Sequence, residues 1–131
     1  AGQLPFYRSE ERSDPLAELN LVVLKGSDPD RLKTFYSKLG LRFVKHRHGA
    51  GAEHYASESS GRVFEIYPAS SKAESTKGLR LGFGVMDTKA TVSKLVKAGG
   101  EIISPPKDSQ WGIRAVIKDP EGHKVEITQF V

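Results

Sequence analysis

The 131-residue chain repeats itself. Slid against itself by 60 positions, it sets Leu21 on Leu81, Leu32 on Val92, Phe35-Tyr36 on Leu95-Val96 and Gly40 on Gly100. At a shift of 61, Val63-Phe64-Glu65-Ile66 meets Lys124-Val125-Glu126-Ile127, so two glutamates coincide. Isolated leucine matches arise by chance, but a shared order of elements does not. In the first copy the apolar run 19–24 reads as a strand. Ser27-Asp28-Pro29 then starts a helix, a cap followed by a proline whose missing N–H is not needed there. Leu32, Phe35, Tyr36 and Leu39 give it one apolar stripe, and Gly40 ends it. Strands are predicted at 42–46, 54–58 and 62–67, with turns at 49–51 and 59–61. The second copy follows the same order: a strand at 79–86, a helix capped by Asp87-Thr88 with Val92, Leu95 and Val96 on one face, and a stop at Gly99-Gly100. Strands at 101–104, 111–118 and 124–130 complete it, the last two joined by Asp119-Pro120-Glu121-Gly122.

One helix covers only one face of a four-stranded sheet, so the other face must look onto something else. The expected fold is α+β: two tandem βαβββ modules whose curved mixed sheets pair around a central cleft, with the helices outside. Module 1 spans about 19–68 and module 2 about 78–130, joined by a polar linker at 69–77, all within one domain at 16–131. Residues 1–15 are polar and aperiodic and read as a flexible arm.

Period 2 decides which side chains enter the cleft. Phe64 and Ile66 share one strand face, and Val63, Glu65 and Tyr67 the other. Val125 and Ile127 oppose Lys124, Glu126 and Thr128. The apolar faces belong under the helices, which leaves Glu65 and Glu126 in the cleft, one from each copy. Two carboxylates so placed either hold a divalent cation or share a proton.

Composition removes several classes. There is no cysteine, hence no disulfide scaffold, thiolate metal site or cysteine nucleophile. The 20 Lys+Arg against 16 Asp+Glu are interleaved along the chain, which argues against a nucleic-acid partner despite the net charge of +4. The longest apolar run is 21–24, so no membrane partner and no leader are expected, and a cytoplasmic compartment is. Sheet edges left open by each module predict a homodimer.

Asp28-Pro-Asp-Arg-Leu-Lys-Thr-Phe35-Tyr36 with Leu39-Gly40-Leu41, Val63-Phe-Glu-Ile66, Trp111-Gly-Ile-Arg114 and Asp119-Pro-Glu-Gly122-His-Lys-Val-Glu126-Ile together resemble the vicinal oxygen chelate superfamily. That superfamily holds glyoxalase I, the extradiol dioxygenases and the bleomycin- and fosfomycin-resistance proteins. The resemblance implies a metal held by a first-strand and a fourth-strand residue of each copy, typically His and Glu. The fourth-strand positions match Glu65 and Glu126. The first-strand positions fall on Leu21 and Leu81, which cannot bind a metal; a slip of one offers Asn20 in the first copy and Arg80 or Gly82 in the second.

The resemblance therefore implies a protein that binds a small organic molecule in the inter-module cleft, with no standard metal site and no cofactor. The alternative is a metal-assisted lyase or isomerase of the glyoxalase type. There Glu65 or Glu126 is the catalytic base and both hold a divalent Mg, Mn, Ni or Zn ion. Candidate ligand-binding residues are His54, whose orientation is open, Tyr55 and Tyr67 as aromatic walls, Trp111, and Arg114 as a planar fork for a carboxylate or phosphonate. His46 and His48 read as loop histidines lacking a third ligand, and His123, after a tight turn, reads as exposed.

Overall fold

The computed structural model describes residues 17–129, and the arm expected at 1–15 lies outside them. Module 1 comprises β1 (Leu21–Gly26), α1 (Pro29–Ser37), β2 (Val44–His46), β3 (His54–Ser59) and β4 (Arg62–Pro68). A single 3₁₀ turn, Lys72–Glu74, interrupts the linker. Module 2 comprises β5 (Arg80–Val85), α2 (Thr88–Lys97), β6 (Glu101–Ser109), β7 (Gly112–Lys118) and β8 (Lys124–Gln129). The repeat is borne out in the topology: the sheet orders are β1-β4-β3-β2 and β5-β8-β7-β6, each with one parallel pair and two antiparallel pairs. Among the described residues no helix is long and apolar enough to cross a membrane.

Both helices start as their sequences dictate. The Asp28 side chain accepts from the Arg31 N–H at 3.1 Å, with Pro29 in the first turn, and Asp87 accepts from the Ala90 N–H at 3.0 Å. Gly99 follows the second helix at φ +103°, a conformation that any other residue adopts only with strain. The largest departure from expectation is β6, which runs on through Pro105-Pro106 instead of stopping at 104. It is an edge strand with two register shifts against β7, so prolines cost it no obligatory ladder bond. Val96, expected on the buried face of α2, is 39% exposed; Val92 and Leu95 alone carry that face inward.

The apolar faces of both sheets and the inner faces of both helices form one core. Tyr36 is its joint: its ring packs edge-on to Phe64 of β4 (centroids 5.1 Å apart) and lies 6.0 Å from Phe83 of β5. At Gly100 the modules close so tightly that a Cβ would stand 2.8 Å from Phe35 and 3.0 Å from Ile117.

Where the β7–β8 turn meets α1, a buried carboxylate carries the joint further. Oδ2 of Asp119 accepts from the Tyr36 hydroxyl (2.6 Å) and from His123 Nδ1 (2.8 Å). Oδ1 accepts from the backbone N–H groups of Glu121 (2.8 Å) and His123 (3.0 Å). The other ring nitrogen of His123, Nε2, is hydrogen-bonded to the Thr76 hydroxyl at 2.8 Å, and Thr76 Oγ1 in turn accepts the Lys25 N–H at 2.9 Å. His123, expected in solvent, is fully buried. Burial first, and the Asp119 charge and hydrogen bond after it, push the Tyr36 phenol far above its ordinary range, so it stays a donor. Tyr36→Phe is expected to lower stability by about 2 kcal/mol, the worth of one hydrogen bond to a buried charge. Asp119→Ala is expected to cost about 3–5 kcal/mol, because it takes the acceptor from four donors at once, three of them buried. Urea unfolding of both variants checks the order; equal and small losses refute it.

Candidate functional site

Strand register sorts the candidate residues by face. In module 1, β4 and β3 pair Glu65 with Ala56 and Ile66 with Tyr55, and β1 sets Val23 beside Glu65. The face turned away from α1 therefore carries Leu21 and Val23 of β1, Val63, Glu65 and Tyr67 of β4, and His54 of β3. His54 Nε2 lies 3.5 Å from a Glu65 oxygen and 3.3 Å from the Tyr67 hydroxyl. The His54 ring stacks on Tyr67 with centroids 4.0 Å apart, and its side chain is buried. His46 pairs with His54 across the hairpin, and the His46 and His48 rings stand 5.9 and 5.3 Å from it. Burial and the neighbouring Glu65 charge push the Tyr67 phenol upward.

Tyr55 requires a correction. Its position one residue after His54 turns it to the opposite face, under α1, where its hydroxyl donates to Asp30 and is pushed up to about 12 chiefly by that bond. It is no wall of the same surface as Tyr67. Trp111 sits in the β6–β7 turn, half-buried, with its backbone N–H on Ser109 Oγ.

In module 2 the face away from α2 carries Arg80, Gly82 and Gly84 of β5, Lys124, Glu126 and Thr128 of β8, and Arg114, Val116 and Lys118 of β7. Both Glu126 oxygens are occupied. Oε2 accepts from Arg80 Nε at 2.5 Å, and Oε1 from Arg114 Nε at 2.9 Å with Nη2 at 2.8 Å. Partial burial opposes the carboxylate charge, but the hydrogen bonds and charges of Arg114 and Arg80 outweigh it and hold Glu126 below its ordinary value of 4.5. Glu126 is thus satisfied within its own sheet while Glu65 has only the His54 contact at 3.5 Å, and no hydrogen bond joins the two among the described residues.

Arg80, not Leu81, is the first-strand residue on the Glu126 face. Leu81 packs toward the core, paired with Val125. The sequence carried the signal: Leu21 and Arg80 each stand seven residues before their helix cap, Asp28 and Asp87. This donor set does not fit the metal that the resemblance implies. Leu21 offers hydrocarbon, and two guanidinium groups hold the Glu126 oxygens where a cation would need them. Among the described residues no three His, Asp or Glu side chains group to hold an ion.

Where the β1 edge of one sheet faces the β5 edge of the other, a cavity of about 540 Å³ opens between the modules. Leu21, Val63, Phe64, Leu81 and Phe83 are its apolar walls, and Arg62 and Arg80 its charged ones. Sequence reasoning missed this cavity, because it treated Leu21 and Leu81 only as lost ligands.

The chain resembles several solved structures. A glyoxalase-related enzyme from Fulvimarina pelagi matches 87% of this chain and 88% of its own at 22% identity and a TM-score of 0.70. TioX from Micromonospora sp. ML1 matches 88% and 100% at 23% identity and a TM-score of 0.66. TnmS3, an antibiotic binding protein from Streptomyces sp. CB03234, matches 88% and 98% at 21% identity and a TM-score of 0.67. At these identities the likeness is one of fold. No curated protein matches by sequence. The family model of the Glyoxalase/Bleomycin resistance protein/Dioxygenase superfamily matches residues 18–127, both modules nearly end to end, and the chain belongs to that superfamily.

Proposed function

We propose that this chain binds a small organic molecule between its modules, in the manner of the superfamily's resistance-type members, and works without the metal that its lyases use. One observation carries the reading: the Glu126 carboxylate is spent on Arg80 and Arg114. A carboxylate so paired is a weak base and an unavailable ligand. The cavity supports it, since about 540 Å³ lies within the range of roughly 300–1,000 Å³ usual for small-molecule sites. The likeness to an antibiotic binding protein agrees with it. The alternative, a lyase, rests on Glu65, the one carboxylate of the pair without an arginine, with His54 and Tyr67 beside it. We also propose a homodimer: Leu21, Val44, Met86, Ile102 and Ile103 stand exposed on strands or at strand ends. Sedimentation at tens of micromolar tests that pairing, and a monomer there refutes it.

Elemental analysis of untagged protein is expected to find no stoichiometric zinc, nickel or manganese, and chelation to leave the melting temperature unchanged. A tightly held ion, with a melting temperature that falls on chelation, establishes the lyase reading instead.

Glu126→Gln tests the clamp. The folded-state value of Glu126 is depressed, so its stabilisation is fully present above 4.5 and is lost as pH falls through the lower folded value. The variant is expected to melt below the wild type at pH 7, with the gap closing as both are taken to pH values progressively below 4.5. A gap independent of pH shows that the carboxylate charge is not what Arg80 and Arg114 use.

A further inference from the structure

We propose that the ligand of the inter-module cavity is an organic acid: an apolar, flat body bearing one carboxylate or similar anionic group that docks on Arg80. The proposal rests on the small-molecule reading above and names the chemical class that this cavity selects. Its walls are mainly hydrocarbon and aromatic, Leu21, Val63 and Phe64 from one sheet and Leu81 and Phe83 from the other, with Asn20 and the hydroxyls of Ser57, Ser59 and Ser60 as neutral polar lining. Among the described residues Arg62 and Arg80 are its charged lining residues, and no aspartate or glutamate lines it. Arg62 stands 3.7 Å from Glu18 with both side chains largely exposed, a pairing worth little against solvent.

Arg80 is the better anchor because it is held from behind. Its Nε is fixed on Glu126, and among the described residues its two terminal nitrogens carry no other hydrogen bond. Those nitrogens present the planar edge that matches a carboxylate. Glu126 does not cancel the site, since Arg114 shares the same carboxylate and leaves the trio one positive charge in excess. Lys124, directly across from Arg80 in the ladder, and Lys118 beyond it extend the positive field along that face. Gly82 places no side chain on the face next to Arg80. A neutral ligand would gain the apolar walls and the serine and asparagine hydrogen bonds but no ion pair, a cation would meet repulsion at short range, and an acid adds the charge term to the others.

A matched series of 1-naphthoate, 1-naphthamide and 1-naphthylmethylammonium separates these terms, because the ring is constant and only the charge changes. Titration by calorimetry, with backbone amide shifts to locate the site, is expected to give naphthoate at least about tenfold tighter binding than the amide at low salt. The ammonium should be weaker still, with shifts centred on Arg80 and Leu81. The acid's advantage should fall as salt rises. Arg80→Gln should remove most of it, read as the ratio of acid to amide affinity within the same variant. Lys124→Gln, which leaves the Glu126 clamp intact, should reduce it about two- to threefold by weakening the field. If the acid and the amide bind the cavity equally, or the ammonium binds best, the acid proposal is overturned and the small-molecule reading stands. If the acid binds but its shifts lie away from β1 and β5, the proposal is likewise overturned. If none of the three binds, the small-molecule reading itself is refuted.

Discussion

The Asp119 carboxylate is where the two halves of this chain become one structure. Four donors converge on it: a phenol from the helix of module 1, an imidazole, and two backbone amides from its own turn. Module 2 alone would leave that carboxylate pointing at water, and module 1 alone would leave the Tyr36 hydroxyl without a buried acceptor. The network continues through His123 and Thr76 to the backbone of β1, so the linker is pinned along the outer edge of the first sheet. The same turn reaches α1 again through Glu121, whose side chain accepts from the Ser27 and Asp28 N–H groups ahead of the helix. A charge buried this deeply is tolerated only because every lone pair has a donor.

That joint decides how the sheets stand, and the sheets decide what the cavity is made of. Tyr36 spaces Phe64 from Phe83, and Gly100 lets Phe35 close on Ile117. The N-terminal ends of β1 and β5 then line one cavity. A gap between two sheet edges is walled by side chains from both faces of each strand. This is why core residues such as Phe83 and open-face residues such as Leu21 and Arg80 meet in one place.

Much of this was legible in the sequence because periodicity and capping are local. The Asp-capped helices and the parity that turns Glu65 and Glu126 away from the helices can each be read from a window of a few residues, and the repeat is those same local patterns recurring 60 residues on. What was not legible depends on distant partners. His123 follows a tight turn, and only the fold brings Thr76 to one of its nitrogens and Asp119 to the other. Tyr55 looked like a companion of Tyr67, but neighbouring positions on a strand face opposite ways, and Asp30 claims it. The β6 strand defeats its own prolines because an edge strand can waive ladder bonds. Leu81 and Arg80 differ by a single residue of register, and one residue exchanges the core for the open face.

The two equivalent glutamates show how far the copies have parted. Both occupy the middle of the fourth strand, yet their surroundings assign them opposite chemistry. Glu65 looks onto imidazole and phenol, groups that accept or donate a proton without fixing the carboxylate's charge. Glu126 looks onto two guanidinium groups that stay charged at any physiological pH and fix its charge firmly. The first environment leaves a carboxylate without a guanidinium partner; the second turns one into a scaffold for arginines. Because the scaffolded arginine, rather than the carboxylate, reaches the cavity wall, what module 2 offers a ligand there is positive. The first-strand position of module 2 on the Glu126 face thus carries a cationic side chain, the opposite in sign to what a metal ligand would present there.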